Sequence, residues 1–182
     1  MASFSVQERA LHLKGLVLDV DGILSDGQLY FGNSGEEIKA FDVRDGLGLK
    51  LLQRAGLKVA IITGRKSQLV EQRMQSLGLD LVIQGREDKG VALREVATAL
   101  GLSPEDCAYM GDDWPDLSAL AIAGLAITVP AAHREVRTRA HWVTASAGGH
   151  GAVREVCDMI LMVQGHYHRL LASYLQNDSV MS

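Results

Sequence analysis

Two aspartates separated by one residue end an apolar run in Leu16-Val-Leu-Asp-Val-Asp-Gly-Ile-Leu-Ser-Asp-Gly27. Side chains alternate along a strand, so Asp19 and Asp21 share a face if the strand continues; Gly22 lets the chain turn away. Two such carboxylates cost free energy unless a cation or donors compensate them. A hard divalent ion with oxygen ligands is the natural compensation, and Mg²⁺ coordinating a phosphate fits. A carboxylate can also attack phosphorus to form an aspartyl-phosphate. Three later segments carry compatible chemistry. Val59-Ala-Ile-Ile-Thr-Gly-Arg65 ends a second apolar run in a hydroxyl, a glycine and a guanidinium. Thr63 and the backbone N–H groups from Gly64 onward can hold phosphoryl oxygens at a helix N-terminus, and Arg65 can fork onto a phosphate or carboxylate. Lys89, in Arg86-Glu-Asp-Lys-Gly90, opens a helix and can neutralise charge on a transferring phosphoryl group. In Tyr109-Met-Gly-Asp-Asp-Trp-Pro-Asp116, Asp112 is placed to complete the ion site, and Asp113 and Asp116 to hold a metal-bound water or orient Lys89. Each segment alone also reads as an ordinary turn. Their joint order, spacing and placement at strand ends point to phosphoryl transfer.

The elements that position these residues alternate regularly. Strands are expected at Gly15–Val20, Lys58–Ile62, Asp80–Ile83, Cys107–Met110, Leu125–Val129 and His141–Val143. Helices are expected at Asp45–Ala55, Ser67–Leu77, Lys89–Leu100, Asp116–Ala123 and Arg134–Ala140. Gly56, Gly78, Gly101 and Gly124 punctuate the helix ends, as a left-handed C-cap prefers. Such alternation implies an α/β parallel sheet with helices on both faces, which binds ligands at the carboxyl ends of its strands. One stretch breaks the rhythm. Gln28-Leu-Tyr-Phe-Gly-Asn-Ser-Gly-Glu-Glu-Ile-Lys-Ala-Phe41 reads as a hairpin turning at Gly32–Gly35 and rising from the site's end of the sheet. A hairpin carrying Leu29, Tyr30, Phe31, Ile38 and Phe41 is marginal alone, so its apolar face should pack on another subunit or on its own domain.

The chain's 182 residues suit one domain, 1–182, with a flexible tail from about 176. A net charge of −4 disfavours a nucleic-acid-binding surface. No apolar run reaches the roughly 20 residues that cross a bilayer, and the N-terminus lacks the apolar core of a signal peptide. Cys107 and Cys157 form no metal-binding pattern and read as buried thiols. Together these give a cytoplasmic reading. His12, His133, His141, His166 and His168 read as surface or packing residues.

The combination DxDG, strand-end Thr, Lys and GDxxxD resembles the haloacid dehalogenase superfamily of phosphotransferases. Asp19-Val-Asp-Gly22, Phe41-Asp-Val-Arg-Asp-Gly46, Ile61-Ile-Thr-Gly-Arg65, Gly111-Asp-Asp113 and Gly148-Gly-His-Gly-Ala-Val-Arg-Glu-Val-Cys157 narrow this. They resemble the 3-deoxy-D-manno-octulosonate 8-phosphate phosphatase family, from roughly Leu13 to Gly165. The resemblance implies a Rossmann-like domain without a cap, assembled as a homotetramer whose hairpins gather around the symmetry axis, each active site being closed by a neighbour.

It also implies roles for residues. Asp19 is the nucleophile and a Mg²⁺ ligand. Asp21 is the general acid/base and gives its backbone carbonyl to the metal, and Asp112 is the third protein ligand. Thr63 and Lys89 hold the phosphoryl group. Substrate contacts carry over to Asp21, Asp42, Val43, Arg44, Asp45, Gly46, Lys50, Gly64, Arg65, Arg73 and Lys89. The implied activity is hydrolysis of 3-deoxy-D-manno-octulosonate 8-phosphate in lipopolysaccharide precursor biosynthesis. Two positions depart from the family pattern: Asp42 stands where asparagine is usual and His150 where arginine is usual. They keep open a phosphatase for a related sugar acid, such as a sialic-acid 9-phosphate. A non-catalytic binding subunit is the alternative of another class.

Overall fold

Strands covered on both faces lose every exposed side chain, and the central run of this chain shows that. The computed structural model describes residues 4–177. Its elements in chain order are α1 (Val6–Ala10), β1 (Gly15–Leu18), β2 (Tyr30–Phe31), β3 (Glu37–Ile38), α2 (Val43–Arg54), β4 (Lys58–Thr63), α3 (Gln68–Ser76), β5 (Val82–Gln84) and α4 (Lys89–Ala99), followed by β6 (Cys107–Met110), α5 (Leu117–Leu120), β7 (Leu125–Thr128), α6 (Arg134–Arg137), β8 (Trp142–Val143), α7 (Ala152–Val163) and α8 (Tyr167–Asn177). Six strands form a sheet in the order β5-β4-β1-β6-β7-β8, every neighbouring pair parallel. All four residues of β1, β6 and β7 are buried, as the middle of a parallel sheet requires. Right-handed crossovers put α2 and α4 on opposite faces, where α2 packs against α7 and α4 against α5.

The order of the strands makes the site. From β1 the chain first winds outward through β4 and β5, then returns through α4 to lay β6 on the other side of β1. The carboxyl ends of β1, β4 and β6 therefore diverge around a crevice, the place where open α/β sheets bind ligands. The Asp19 N–H continues the ladder by donating to the Met110 carbonyl at 2.9 Å, which sets the first acidic segment beside the last. No second domain covers this crevice among the described residues; the one insertion there is the hairpin β2–β3.

Observed boundaries differ from the expected ones where a local bond intervenes. β1 stops at Leu18, because the Val20 carbonyl accepts the N–H groups of Ile23, Leu24 and Ser25 at 3.2, 2.9 and 3.0 Å and bends the chain. Asp19 and Asp21 are thus brought together by a turn and not by strand alternation. α2 starts at Val43, two residues early, because the Asp42 carboxylate accepts the Arg44 N–H at 2.7 Å as an N-cap. The hairpin pairs only Tyr30 with Ile38 and Phe31 with Glu37. Phe41 leaves the hairpin's apolar set and packs against the core. Of the expected tail, Gln176 and Asn177 are the end of α8, and the remainder lies outside the described residues. Cys107 and Cys157 are both buried free thiols, as expected.

Gly56, Gly78 and Gly101 take the positive φ expected of C-caps, but Gly124 does not. Its N–H donates to the Cys107 carbonyl at 2.9 Å, and a Cβ there would collide with the Glu105 carbonyl. Close approach, not handedness, requires this glycine. Gly124→Ala should therefore destabilise the fold by about 1–3 kcal/mol. Urea denaturation checks this, and an unchanged midpoint would contradict it.

Candidate active site

A buried ammonium must be compensated, and Lys89 is compensated twice. It opens α4 at the end of the return crossover and is 3% exposed. Its Nζ lies 2.7 Å from Asp19 Oδ2 and 2.7 Å from Asp116 Oδ1. Burial alone would lower its pKa, but the Asp19 and Asp116 charges outweigh that and raise it, so Lys89 stays protonated. Asp116 is fully engaged. Its Oδ1 also accepts the Tyr109 hydroxyl at 2.7 Å, and its Oδ2 accepts the Asp112 and Asp113 N–H groups at 3.0 and 3.1 Å. This carboxylate anchors the loop after β6 and fixes Lys89.

Asp19 and Asp112 have capacity left. One oxygen each from Asp19, Asp112 and Asp116 lie within 4.8 Å of one another. Burial pushes Asp19 up to about 6, the Asp116 charge adding to it while Lys89 opposes. Burial, then the charges of Asp116 and Asp19, push Asp112 up to about 7. One lysine does not balance three carboxylates, so the cluster calls for a further cation. Since the Asp116 oxygens are taken by four donors, the donors left for it are the hard oxygens of Asp19 and Asp112, which suit Mg²⁺. Gly22 makes this meeting possible. Its φ is +86°, and a Cβ would collide with the Asp112 carboxylate.

These residues line a cleft of about 350 Å³ with Asp21, Thr63, Gly64, Arg65, Glu87 and Asp113. Thr63, the last residue of β4, is 2% exposed. Asp113 caps the turn at Trp114–Asp116 by accepting the Trp114 N–H at 2.8 Å. Asp21 faces the hairpin. Its Oδ1 accepts from Lys39 and, at 3.4 Å, from Ser25 Oγ; its Oδ2 lies 3.8 Å from Arg65 Nε. Arg65 also pairs with Glu37 at 3.4 Å. Sequence reasoning missed Lys39, Glu37 and Tyr109. The signal for the first two was present: in Glu37-Ile38-Lys39 strand alternation puts both charges on one face and Ile38 on the other.

The remaining expected substrate contacts form a separate group, none of them lining the cleft. Asp42 binds the Arg44 guanidinium at 2.6 Å, which holds its carboxyl below the ordinary range, and Arg44 donates on to the His150 carbonyl at 3.0 Å. Asp45 is buried, accepts the Arg154 N–H at 2.7 Å, and is pushed up to about 6 chiefly by burial. Arg73 reaches beside Gly46, with its guanidinium 6.0 Å from the Phe41 ring centroid. Val43 and Lys50 are exposed. Of the histidines read as packing residues, His133 accepts the Trp114 indole N–H and His141 the Ala126 N–H, both at 2.9 Å.

The chain is similar to known proteins in sequence and in fold. A family of haloacid dehalogenase-like hydrolases matches residues 82–156. The 3-deoxy-D-manno-octulosonate 8-phosphate phosphatase of Escherichia coli is 47% identical over 163 residues, covering 90% of this chain and 87% of that protein. The Moraxella catarrhalis phosphatase of the same name, solved with magnesium, phosphate and a KDO molecule, superposes with a TM-score of 0.91 at 45% identity, covering 93% of this chain and 97% of that one. The cobalt-bound Haemophilus influenzae enzyme gives 0.85 at 40% identity, covering 87% and 93%.

The cluster predicts a measurable dependence on metal. Mg²⁺ at about a hundredfold over its Kd should add about 2.7 kcal/mol to stability and raise the melting temperature by roughly 5–10 °C, reversed by EDTA. Asp112→Asn should remove most of that shift. A shift that persists in the variant would place the ion elsewhere.

Proposed function

The chain belongs to the 3-deoxy-D-manno-octulosonate 8-phosphate phosphatase family of haloacid dehalogenase-like hydrolases, and from that premise we propose that it hydrolyses this sugar-acid phosphate to 3-deoxy-D-manno-octulosonate and phosphate. The observation that carries the reading is the single cleft in which Asp19, Asp112 and Lys89 meet Thr63 and Arg65. Mg²⁺ is the cofactor; held by the carboxylates of Asp19 and Asp112 and the backbone carbonyl of Asp21, it supplies charge neutralisation for the phosphoryl oxygens. Lys89 and Thr63 hold those oxygens, with the Gly64 N–H beside them. Asp19 attacks phosphorus while the protonated Asp21 gives its proton to the departing sugar oxygen. Asp21 then takes a proton from the water that hydrolyses the aspartyl-phosphate. Asp116 keeps Lys89 aimed at Asp19, and Asp113 shapes the loop that carries Asp112.

The departure at Asp42 has a local reason: aspartate caps a helix as asparagine does, and Arg44 absorbs its charge. Arg65 supplies a cation at the cleft. We place the Asp42–Gly46 segment, Lys50 and Arg73 in substrate recognition across a subunit boundary. The hairpin supports that reading, because Leu29, Tyr30, Phe31 and Ile38 present 41–64% of their surface in the single chain. Burying that face in a homotetramer would stabilise the assembly. Residues 1–182 then act as one phosphatase domain, in the cytoplasm, supplying the octulosonate for lipopolysaccharide precursors.

Two experiments test this. Phosphate release from 3-deoxy-D-manno-octulosonate 8-phosphate, a sialic-acid 9-phosphate and hexose phosphates should show strong, EDTA-sensitive preference for the octulosonate ester. Equal turnover of another ester would keep the chemistry and overturn the substrate; no turnover at all would favour a binding subunit. Asp19→Asn should lower kcat by at least about a thousandfold with the fold intact by circular dichroism. Activity above a few per cent of the parent's would remove Asp19 from the nucleophile's role.

A further inference from the structure

The hairpin's paired strands are only two residues long and its apolar side chains are exposed, yet one of its side chains is completely buried. The side chain of Lys39 has no exposed surface, and it ends against Asp21 Oδ1, with Glu37 Oε1 at 3.4 Å. An ammonium taken wholly out of water is tolerated only with counter-charge, and here the counter-charge includes the carboxylate at the centre of the proposed proton transfer. The two oxygens of Asp21 are consequently unequal. Lys39 and Ser25 Oγ occupy Oδ1, whereas Arg65 Nε stands 3.8 Å from Oδ2. Glu37 Oε1 is buried and makes no hydrogen bond, so the Lys39 ammonium at 3.4 Å is its charge partner.

We propose that Lys39 is a positioning residue for the phosphatase reaction: it holds Asp21 by Oδ1 and so fixes the orientation in which this carboxyl group meets the leaving group in the cleft. This rests on Asp21 being the general acid. In the first step a carboxylate oxygen of Asp19 forms a bond to phosphorus as the bond from phosphorus to the sugar oxygen breaks. The bonding pair goes to the sugar oxygen, which takes the proton from the Asp21 carboxyl group. Asp21 is left as a carboxylate on the Lys39 ammonium. The hairpin thereby contributes to chemistry within its own chain, separately from any role of its apolar face.

The test compares two leaving groups. A sugar alkoxide needs the proton as it departs; p-nitrophenolate departs well without it. kcat/KM covers only the steps through aspartyl-phosphate formation, so the later role of Asp21 toward water does not enter. Lys39→Met should lower kcat/KM for 3-deoxy-D-manno-octulosonate 8-phosphate by about a hundredfold and for p-nitrophenyl phosphate by less than about fivefold. Lys39→Arg, which keeps the charge on a differently shaped donor, should give the same selectivity at about tenfold. Should the methionine variant not fold, the arginine variant carries the comparison alone. Equal losses on both substrates, or none, would overturn the proposal and leave Lys39 as a hairpin anchor. Asp21→Asn separates the two claims. Selective loss there with uniform loss in the Lys39 variants refutes only the positioning role; uniform loss in Asp21→Asn refutes the general-acid reading itself.

Discussion

Everything at this site depends on placing three carboxylates and one ammonium where little water reaches them. Asp19, Lys89 and Asp116 are each less than a tenth exposed, and Asp112 is mostly buried. Desolvation disfavours every one of these charges, and the carboxylates also repel each other. Lys89 offsets part of this by touching two of them at 2.7 Å. What remains is a negative excess on Asp19 and Asp112. That excess suits a divalent cation and, through the cation, a phosphate. Asp116 shows how the rest is held still: with four donors on two oxygens, it ties together the end of β6, the following loop and the start of α4.

The fold supplies this geometry at low cost in chain. Because β1 is central, three strand ends deliver Asp19, Thr63 and Asp112 to one crevice, and the return crossover drops Lys89 among them. The strands are buried on both faces, so the polar groups concentrate where the strands end. Without a cap, the cleft is lined by the loops at the strand ends, and the hairpin sits beside it, with Glu37 and Lys39 against Arg65 and Asp21 while its apolar side chains stay exposed. An element this short is poorly stabilised by its own two residue pairs. Its charged face ties it to Asp21 and Arg65, and its apolar face is left for another surface.

Much of this was legible in the sequence for a physical reason. Fully buried strands read as continuous apolar runs, so β1, β4, β6 and β7 stand out, and the chemistry follows directly at their ends. Asp19, Thr63 and Asp112 follow that logic, while Lys89 is legible as the residue that opens α4 and Asp21 as the second aspartate of the first acidic segment. Boundaries were less legible, because they turn on single bonds: the Asp42 cap that starts α2 at Val43, or the Val20 carbonyl that ends β1. Tyr109 was hidden because its apolar strand gives no sign that the hydroxyl meets Asp116. Strand alternation places Glu37 and Lys39 on one face of the hairpin, but only the folded chain shows the Lys39 side chain sealed against Asp21. Gly124 reads as a helix C-cap, but α5 ends at Leu120 and Gly124 directly precedes β7, where contacts distant in sequence decide what a missing Cβ is for.

Covalent transfer of the phosphoryl group to Asp19 is the step on which the proposed reaction turns. Rapid mixing with the octulosonate phosphate, a quench, and borohydride reduction would convert an aspartyl-phosphate to homoserine, which mass spectrometry of the peptide around Leu16–Gly27 can locate. Homoserine is expected at position 19, formed only with substrate and absent from Asp19→Asn. Reduction at another carboxylate, or turnover that leaves none reduced under single-turnover conditions, would contradict it.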